Sequence, residues 1–159
     1  MKILRTTLVL SSWVMLAGCG RTDSPSLAAV ANGLRTFEIT ANDTMRYSVT
    51  RLEASVGEDV KVVLTNTGTQ PKQVMGHNWV LLKQGSDPAA FANAALSAAS
   101  TEYYPEQLAG EVIAHIRLLG PRESGEVKFK APAKPGEYPF LCTFPAHFLT
   151  GMHGILVVR

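Results

Sequence analysis

Cys142 and His147 stand in the run Cys142-Thr143-Phe144-Pro145-Ala146-His147, and Met152 follows a short way beyond. A thiolate, an imidazole and a thioether this close together suit a metal that accepts both sulfur and nitrogen. A second segment, Met75-Gly76-His77-Asn78-Trp79, can supply another imidazole. Two His, one Cys and a more distant Met are the donor set of a blue-copper electron-transfer centre. In such a centre His77, Cys142 and His147 would form a trigonal plane, with Met152 as a weak axial donor. The same side chains could hold zinc. Softness and the affinity order favour copper, while metal supply decides occupancy. Sixty-four residues separate His77 from Cys142, so a fold must bring two remote segments together.

The pattern from Arg35 onward predicts strands as the positioning elements. Thr36–Thr40 alternates polar and apolar residues, and so do Met45–Thr50 and Glu126–Lys130. Val56-Gly57-Glu58-Asp59 reads as a turn into a strand from Val60 to Asn66, and His77–Leu82, Gly136–Cys142 and Ile155–Arg159 read as further strands. Short strands between Gly and Pro turns indicate an all-β sandwich. Pro139 predicts an edge or a bulge in its strand, because it has no N–H for a ladder. One stretch breaks the pattern. Asp87 and Pro88 precede an Ala-rich run to Ala99, with Asp87 suited to cap a helix and Pro88 to open it. Phe91, Ala95 and Leu96 are the residues expected to dock that helix on the sandwich.

The N-terminus reads as a targeting segment. Lys2 and Arg5 give a positive n-region, and the apolar stretch from Ile3 to Leu16 is too short and interrupted for a membrane span. Leu16-Ala17-Gly18-Cys19 resembles the lipobox of bacterial lipoproteins, which implies a signal peptide over 1–18 and a lipid on Cys19. Residues 19–34, rich in Ser, Ala, Pro and Asn, read as a flexible lipid-anchored tether, leaving 35–159 as the folded domain. With only two cysteines in the chain, a lipidated Cys19 leaves Cys142 without a disulfide partner. An odd thiol in an oxidising compartment is hazardous unless a metal occupies it. Losing Lys2 and Arg5 with the leader balances the basic and acidic residues, which argues against nucleic acid as a partner.

Several of these segments together resemble the azurin family of blue copper proteins, with the auracyanins as near neighbours. Met75-Gly76-His77-Asn78-Trp79-Val80-Leu81, Val112-Ile113-Ala114-His115 and Cys142-Thr143-Phe144-Pro145 follow one another in the family's order. The resemblance spans about residues 35–159 and implies the Greek-key β-sandwich of the cupredoxins, with a helical flap where the Ala-rich run stands. It also implies one copper cycling between Cu(I) and Cu(II), with the backbone carbonyl of Gly76 as a second weak axial contact. Asn78 and the backbone N–H of Phe144 would hydrogen-bond toward the Cys142 sulfur and tune the potential. Trp79 reads as a core aromatic, His115 as a surface residue outside the ligand set, and His153 as facing solvent. Asn66 stands where azurin has a titrating histidine. Four residues rather than three separate His147 from Met152, and azurin's N-terminal disulfide has no counterpart.

In azurin an apolar patch around the C-terminal histidine is the docking surface. Here Val74, Met75, Pro145, Ala146 and Phe148 would form it, with Gln70 replacing an apolar residue and His147 reaching toward the surface. The expected function is a non-enzymatic electron carrier in the bacterial cell envelope, facing the periplasm and tethered to a membrane by Cys19. Its expected partners are c-type cytochromes or membrane oxidoreductases, met transiently. A copper storage or delivery lipoprotein is the alternative, disfavoured because the tether lacks Met and His clusters. A multicopper enzyme would need more histidines than the four present, and no His-x-His pair occurs.

Overall fold

The computed structural model describes residues 33–159. The leader, Cys19 and the tether as far as residue 32 lie outside the described residues. The chain runs through β1 (Arg35–Ala41), β2 (Arg51–Ala54), β3 (Asp59–Asn66), the one-turn helix α1 (Lys72–Met75), β4 (His77–Leu82) and helix α2 (Pro88–Ala95). It continues through β5 (Val112–Leu119), β6 (Ser124–Lys130), β7 (Gly136–Leu141) and β8 (His153–Val158). Two short 3₁₀ turns, Ala99–Thr101 and Glu106–Glu111, join α2 to β5.

Alternation along the strands builds two sheets with one apolar layer between them. One sheet has the order β1-β3-β6, the other β2-β8-β7-β4-β5. In β3 every second residue, Val60, Val62 and Leu64, is fully buried, as the two-residue period of a half-buried strand requires. These side chains share one core with Ile39, Trp79, Leu81, Phe140 and Leu156. The result is a β-sandwich with a helical insertion.

β4 departs from alternation and is buried at all six positions. Trp79 and Leu81 belong to the core between the sheets, while Val80 and Leu82 pack with Phe91 and Leu141 in a second cluster. Helix α2 makes this possible by covering the outer face of the sheet. The Asp87 carboxylate accepts from the N–H groups of Ala89 (2.9 Å) and Ala90 (3.2 Å), and Pro88 opens the helix. Phe91 and Ala95, one turn apart, are fully buried.

Four sequence expectations need correction. Met45–Thr50 is not a strand and holds a single bridge, Ala41 to Tyr47. Met45 has φ 54°, and the Ser48 hydroxyl takes the Thr40 N–H at 2.8 Å, so local side-chain bonding replaces a ladder. The strand begins instead at Arg51 and pairs in parallel with β8. Helix α2 ends at Ala95, well short of Ala99, and Leu96 is 53% exposed rather than docked. Pro139 lies in β7, which is interior to its sheet, but the pairing of β7 with β4 stops at Phe140. Pro139 therefore has a strand partner, Ile155, on one side only, and its missing N–H is tolerated.

Because Phe91 alone anchors α2 through a large ring, Phe91→Ala is expected to cost about 3–5 kcal/mol. Denaturant unfolding of the metal-free protein should show this as a lower midpoint with the β-sheet signal retained below it.

Candidate metal centre

Strand pairing brings the two donor segments together. β4 and β7 are neighbours through Val80–Leu141 and Leu81–Phe140, which places His77 at the start of one strand near Cys142 just past the end of the other. β7 also pairs with β8 as far as Leu141–His153, and the Cys142 N–H extends that ladder to the Met152 carbonyl at 3.0 Å. Met152 is thereby fixed beside Cys142, and it is fully buried.

His147 hangs on the coil between them. Its N–H donates to the Phe144 carbonyl (3.1 Å), the Met152 N–H donates to the His147 carbonyl (2.9 Å), and Gly151 and Thr150 donate to Phe148 and Ala146. These turns absorb the extra residue between His147 and Met152. Gly151 takes φ 97°, a conformation other residues rarely adopt. Ala146, with φ 69°, holds a left-handed conformation without being glycine, the kind of local strain that gathers at functional sites.

One donor atom from each of His77, Cys142 and His147 lies within 4.8 Å of the other two. The Cys142 Sγ and His147 Nδ1 are 3.5 Å apart, and the two imidazole centroids are 4.9 Å apart. The three side chains are 0%, 0% and 2% exposed respectively for His77, Cys142 and His147. Neither ring nitrogen of His77 has a hydrogen-bond partner among the described residues, although the Asn42 carbonyl lies close enough to favour a charged ring. A buried imidazole without partners is costly, and a metal ion is the partner this geometry admits. The Trp79 Nε1 is likewise unpaired among the described residues; nothing in the structure explains it.

Burial sets the protonation of the set. It pushes the Cys142 thiol up to about 12, opposed in part by the nearby backbone N–H groups of Asn78 and Phe144. Burial lowers His147 to about 4, helped by the neighbouring His77, and lowers His77 as well. Both imidazoles are therefore neutral near pH 7, ready to donate, while the thiol carries the proton that a metal must displace.

Gly76 is required by space. A Cβ there would stand 2.7 Å from the Lys72 carbonyl oxygen and 2.8 Å from Leu118 Cγ, so α1 can run directly into His77 only with glycine between them. The Asn78 side chain does not bond the sulfur. Its Nδ2 donates to Thr143 Oγ1 (2.6 Å) and its Oδ1 accepts from the Thr143 N–H (2.8 Å), while Thr143 Oγ1 donates to the Tyr103 carbonyl (2.6 Å). This pair ties the His77 segment to the Cys142 segment. Thr143 was legible only as a hydroxyl beside a donor cysteine, and its role needed the fold.

The remaining residues fall outside the donor cluster. His115 is exposed and stacks on Tyr104 at 4.5 Å, and desolvation there lowers it. His153 is exposed, with its ring 5.1 Å from that of Phe148. Asn66 is buried, donates to the Leu119 carbonyl and accepts from the Gly68 N–H. Around the ligand loops Val74 and Ala146 are exposed, and Met75, Pro145 and Phe148 are half-buried. His147 lies deeper than the resemblance implies, because Phe144 packs against its ring at 4.8 Å. Leu149, 82% exposed, joins this uncharged rim; its place between His147 and Met152 was the available signal.

These protonation states fix a pH dependence. From the ordinary imidazole range upward, where both rings are neutral, to about 12, where the thiol ionises, the main proton released on metal binding is that of Cys142. The imidazoles are neutral at pH 7–9, so raising the pH there removes only the competing thiol proton. Apparent metal affinity should rise roughly tenfold per pH unit, measured by chelator competition. Cys142→Ala should abolish that slope.

Residues 35–159 match the family described as copper binding proteins, plastocyanin/azurin family. Auracyanin-B of Chloroflexus aurantiacus is 37% identical over 119 residues, covering 74% of this chain and 49% of that protein. Outer membrane protein H.8 of Neisseria meningitidis is 37% identical over 112 residues, covering 69% of this chain and 60% of that protein. The chain thus spans between about half and three fifths of the length of these relatives. Dithionite-reduced auracyanin from Roseiflexus castenholzii superposes with a TM-score of 0.70 at 35% identity, covering 80% of this chain and 99% of that one. The chain belongs to the plastocyanin/azurin family of copper-binding proteins, and it is an azurin-like cupredoxin whose metal is copper.

Proposed function

We propose that this cupredoxin is a one-electron carrier of the bacterial cell envelope, in which His77, Cys142 and His147 would hold the copper, with Met152 and the Gly76 carbonyl as weaker donors. The observation that carries this reading is the enclosure of the donors, none more than 2% exposed. Electrons can cross a thin protein wall, whereas a delivered ion must be handed from ligand to ligand. Storage or delivery would call for exposed donors, and a substrate would need an open coordination position. Copper supplies the one-electron couple and, through the thiolate, an intense visible band.

The protein's part is to keep the donors still and to present an approach surface. The Asn78–Thr143 pair and the coil from Phe144 to Met152 hold the set in place whichever redox state is present. The rim of Val74, Met75, Pro145, Ala146 and Phe148 carries no charge, so a partner can approach without desolvating one. Small, transient contacts of that kind suit redox encounters, and c-type cytochromes or membrane oxidoreductases fit as partners. The lipobox-like Leu16-Ala17-Gly18-Cys19 supports a lipid anchor at Cys19 facing the periplasm, and one relative is named as an outer membrane protein.

Met75→Lys is expected to slow electron self-exchange by roughly tenfold, the effect of about 1.4 kcal/mol in the encounter, with the visible spectrum nearly unchanged. The spectrum reports the ligands and the rate reports the approach of two rims. Stopped-flow or NMR line-broadening at moderate salt measures it, and an unchanged rate in fully loaded protein would move the exit to another face.

The anchor is tested separately. Cys19→Ser should shift the full chain from the membrane fraction to the soluble one. Native protein found soluble with an unmodified Cys19 would remove the lipoprotein reading.

A further inference from the structure

Asn78 has an unusual place in the sheet. It is the one residue of β4 with no registered partner on either neighbouring strand. Towards β5 the register jumps from His77–Leu119 to Trp79–Ile116, with an irregularity between. Towards β7 the pairing starts only at Val80. Neither its backbone N–H nor its carbonyl has a registered residue opposite it, and the residue itself is 2% exposed. Buried backbone groups need partners. The N–H lies close enough to the Cys142 sulfur to oppose the rise that burial imposes on the thiol. The carbonyl accepts from the hydroxyl of Tyr47, a residue 5% exposed from a segment far away in sequence.

Tyr47 is well placed to hold that bond. Its ring packs against Phe140 at a centroid distance of 5.7 Å, inside the core that also contains Cys142. Burial keeps the phenol protonated, so it remains a donor. The backbone on either side of Tyr47 is pinned by the Ala41–Tyr47 bridge and by the Ser48 N–H to the Thr40 carbonyl at 2.9 Å. The irregular segment that fails to become a strand therefore delivers one hydroxyl to the metal centre's wall.

We infer that Tyr47 is a positioning residue for the metal centre: its hydroxyl fixes the Asn78 carbonyl, and through that the aim of the Asn78 N–H at the Cys142 sulfur. The two groups belong to adjacent peptide planes joined at one Cα, so holding the carbonyl narrows the backbone rotations left to the N–H. The side-chain bonds to Thr143 hold the same residue from a third direction. Hydrogen bonds to a donor sulfur withdraw electron density from it and tune the centre. The inference rests on the copper reading for its redox readout alone.

The test compares Tyr47→Phe with Tyr138→Phe in the full chain. Tyr138 is also buried, and its hydroxyl donates to the Lys134 carbonyl (2.7 Å), near the far end of β7 from Cys142. Each variant loses one tyrosine–carbonyl bond. In the metal-free protein, hydrogen exchange of the Asn78 amide should be roughly tenfold faster in Tyr47→Phe and unchanged in Tyr138→Phe. In the copper-loaded protein, the reduction potential should fall in Tyr47→Phe alone, because a poorly aimed N–H withdraws less density from sulfur.

Equal effects in the two variants would reduce Tyr47 to a contributor to general stability and overturn the inference. An unmoved Asn78 amide in Tyr47→Phe would do the same. Tyr47→Met, which fills the space without a donor, serves as a second variant. Failure of both Tyr47 variants to fold would assign the residue to the core and count against a role at the centre. Faster exchange at Asn78 in a protein that shows no copper–thiolate band would sink the copper reading while leaving the positioning role intact.

Discussion

A thiol and two imidazoles buried together with almost no hydrogen-bond partners of their own are the constraint around which this fold is arranged. Polar groups taken out of water without partners raise the energy of the folded state. His77 shows this most directly, since both ring nitrogens are unpaired among the described residues. The chain needs rigid elements that hold these groups in place against that cost. It uses the backbone ladder of β4, β7 and β8, which on the β7–β8 side runs up to Cys142 and Met152 and on the β4–β7 side stops at Val80, three residues short of His77.

The connection between the two donor segments is mechanical. Asn78 and Thr143, each next to a donor in sequence, exchange two hydrogen bonds across the gap where β4 and β7 part. The pair is buried, so neither water nor a neighbouring side chain competes for these bonds, and a satisfied network in such surroundings is rigid. On the other side of the sheet α2 covers Val80, Leu82 and Leu141, which turns β4 into a strand buried on both faces. A strand clamped from both sides is a firm base for His77.

Much of this could be read from residue order. Cys142, His147, Met152 and His77 announce themselves by chemical type and spacing, and the strands β1, β3, β4, β6, β7 and β8 follow from alternation or from continuous apolar runs. The helix announced itself through Asp87 and Pro88. The failures share a cause: each was a place where contacts remote in sequence overruled a local pattern. Met45–Thr50 alternates as a strand would, yet Ser48 and Tyr47 spend their hydroxyls on Thr40 and Asn78 instead. Leu96 fits the apolar face of a helix that stops one residue before it. Pro139 sits in an interior strand just beyond the point where its pairing with β4 stops. β5 carries a register shift that no period of two can show.

Side-chain type and spacing alone pointed to a soft, sulfur-accepting metal and to the all-β architecture. Donor softness is a property of side-chain type, and strand alternation is a property of a local repeat. The tertiary structure alone decided which residues hold the donors and how deeply they lie. That Asn78 gives its side-chain amide to Thr143 depends on where β4 leaves β7. That His147 is 2% exposed depends on the Phe144 ring beside it and on the left-handed turn at Ala146. Direction and burial are set by packing between segments far apart in the chain, and a linear sequence states which groups are available without stating which way they face.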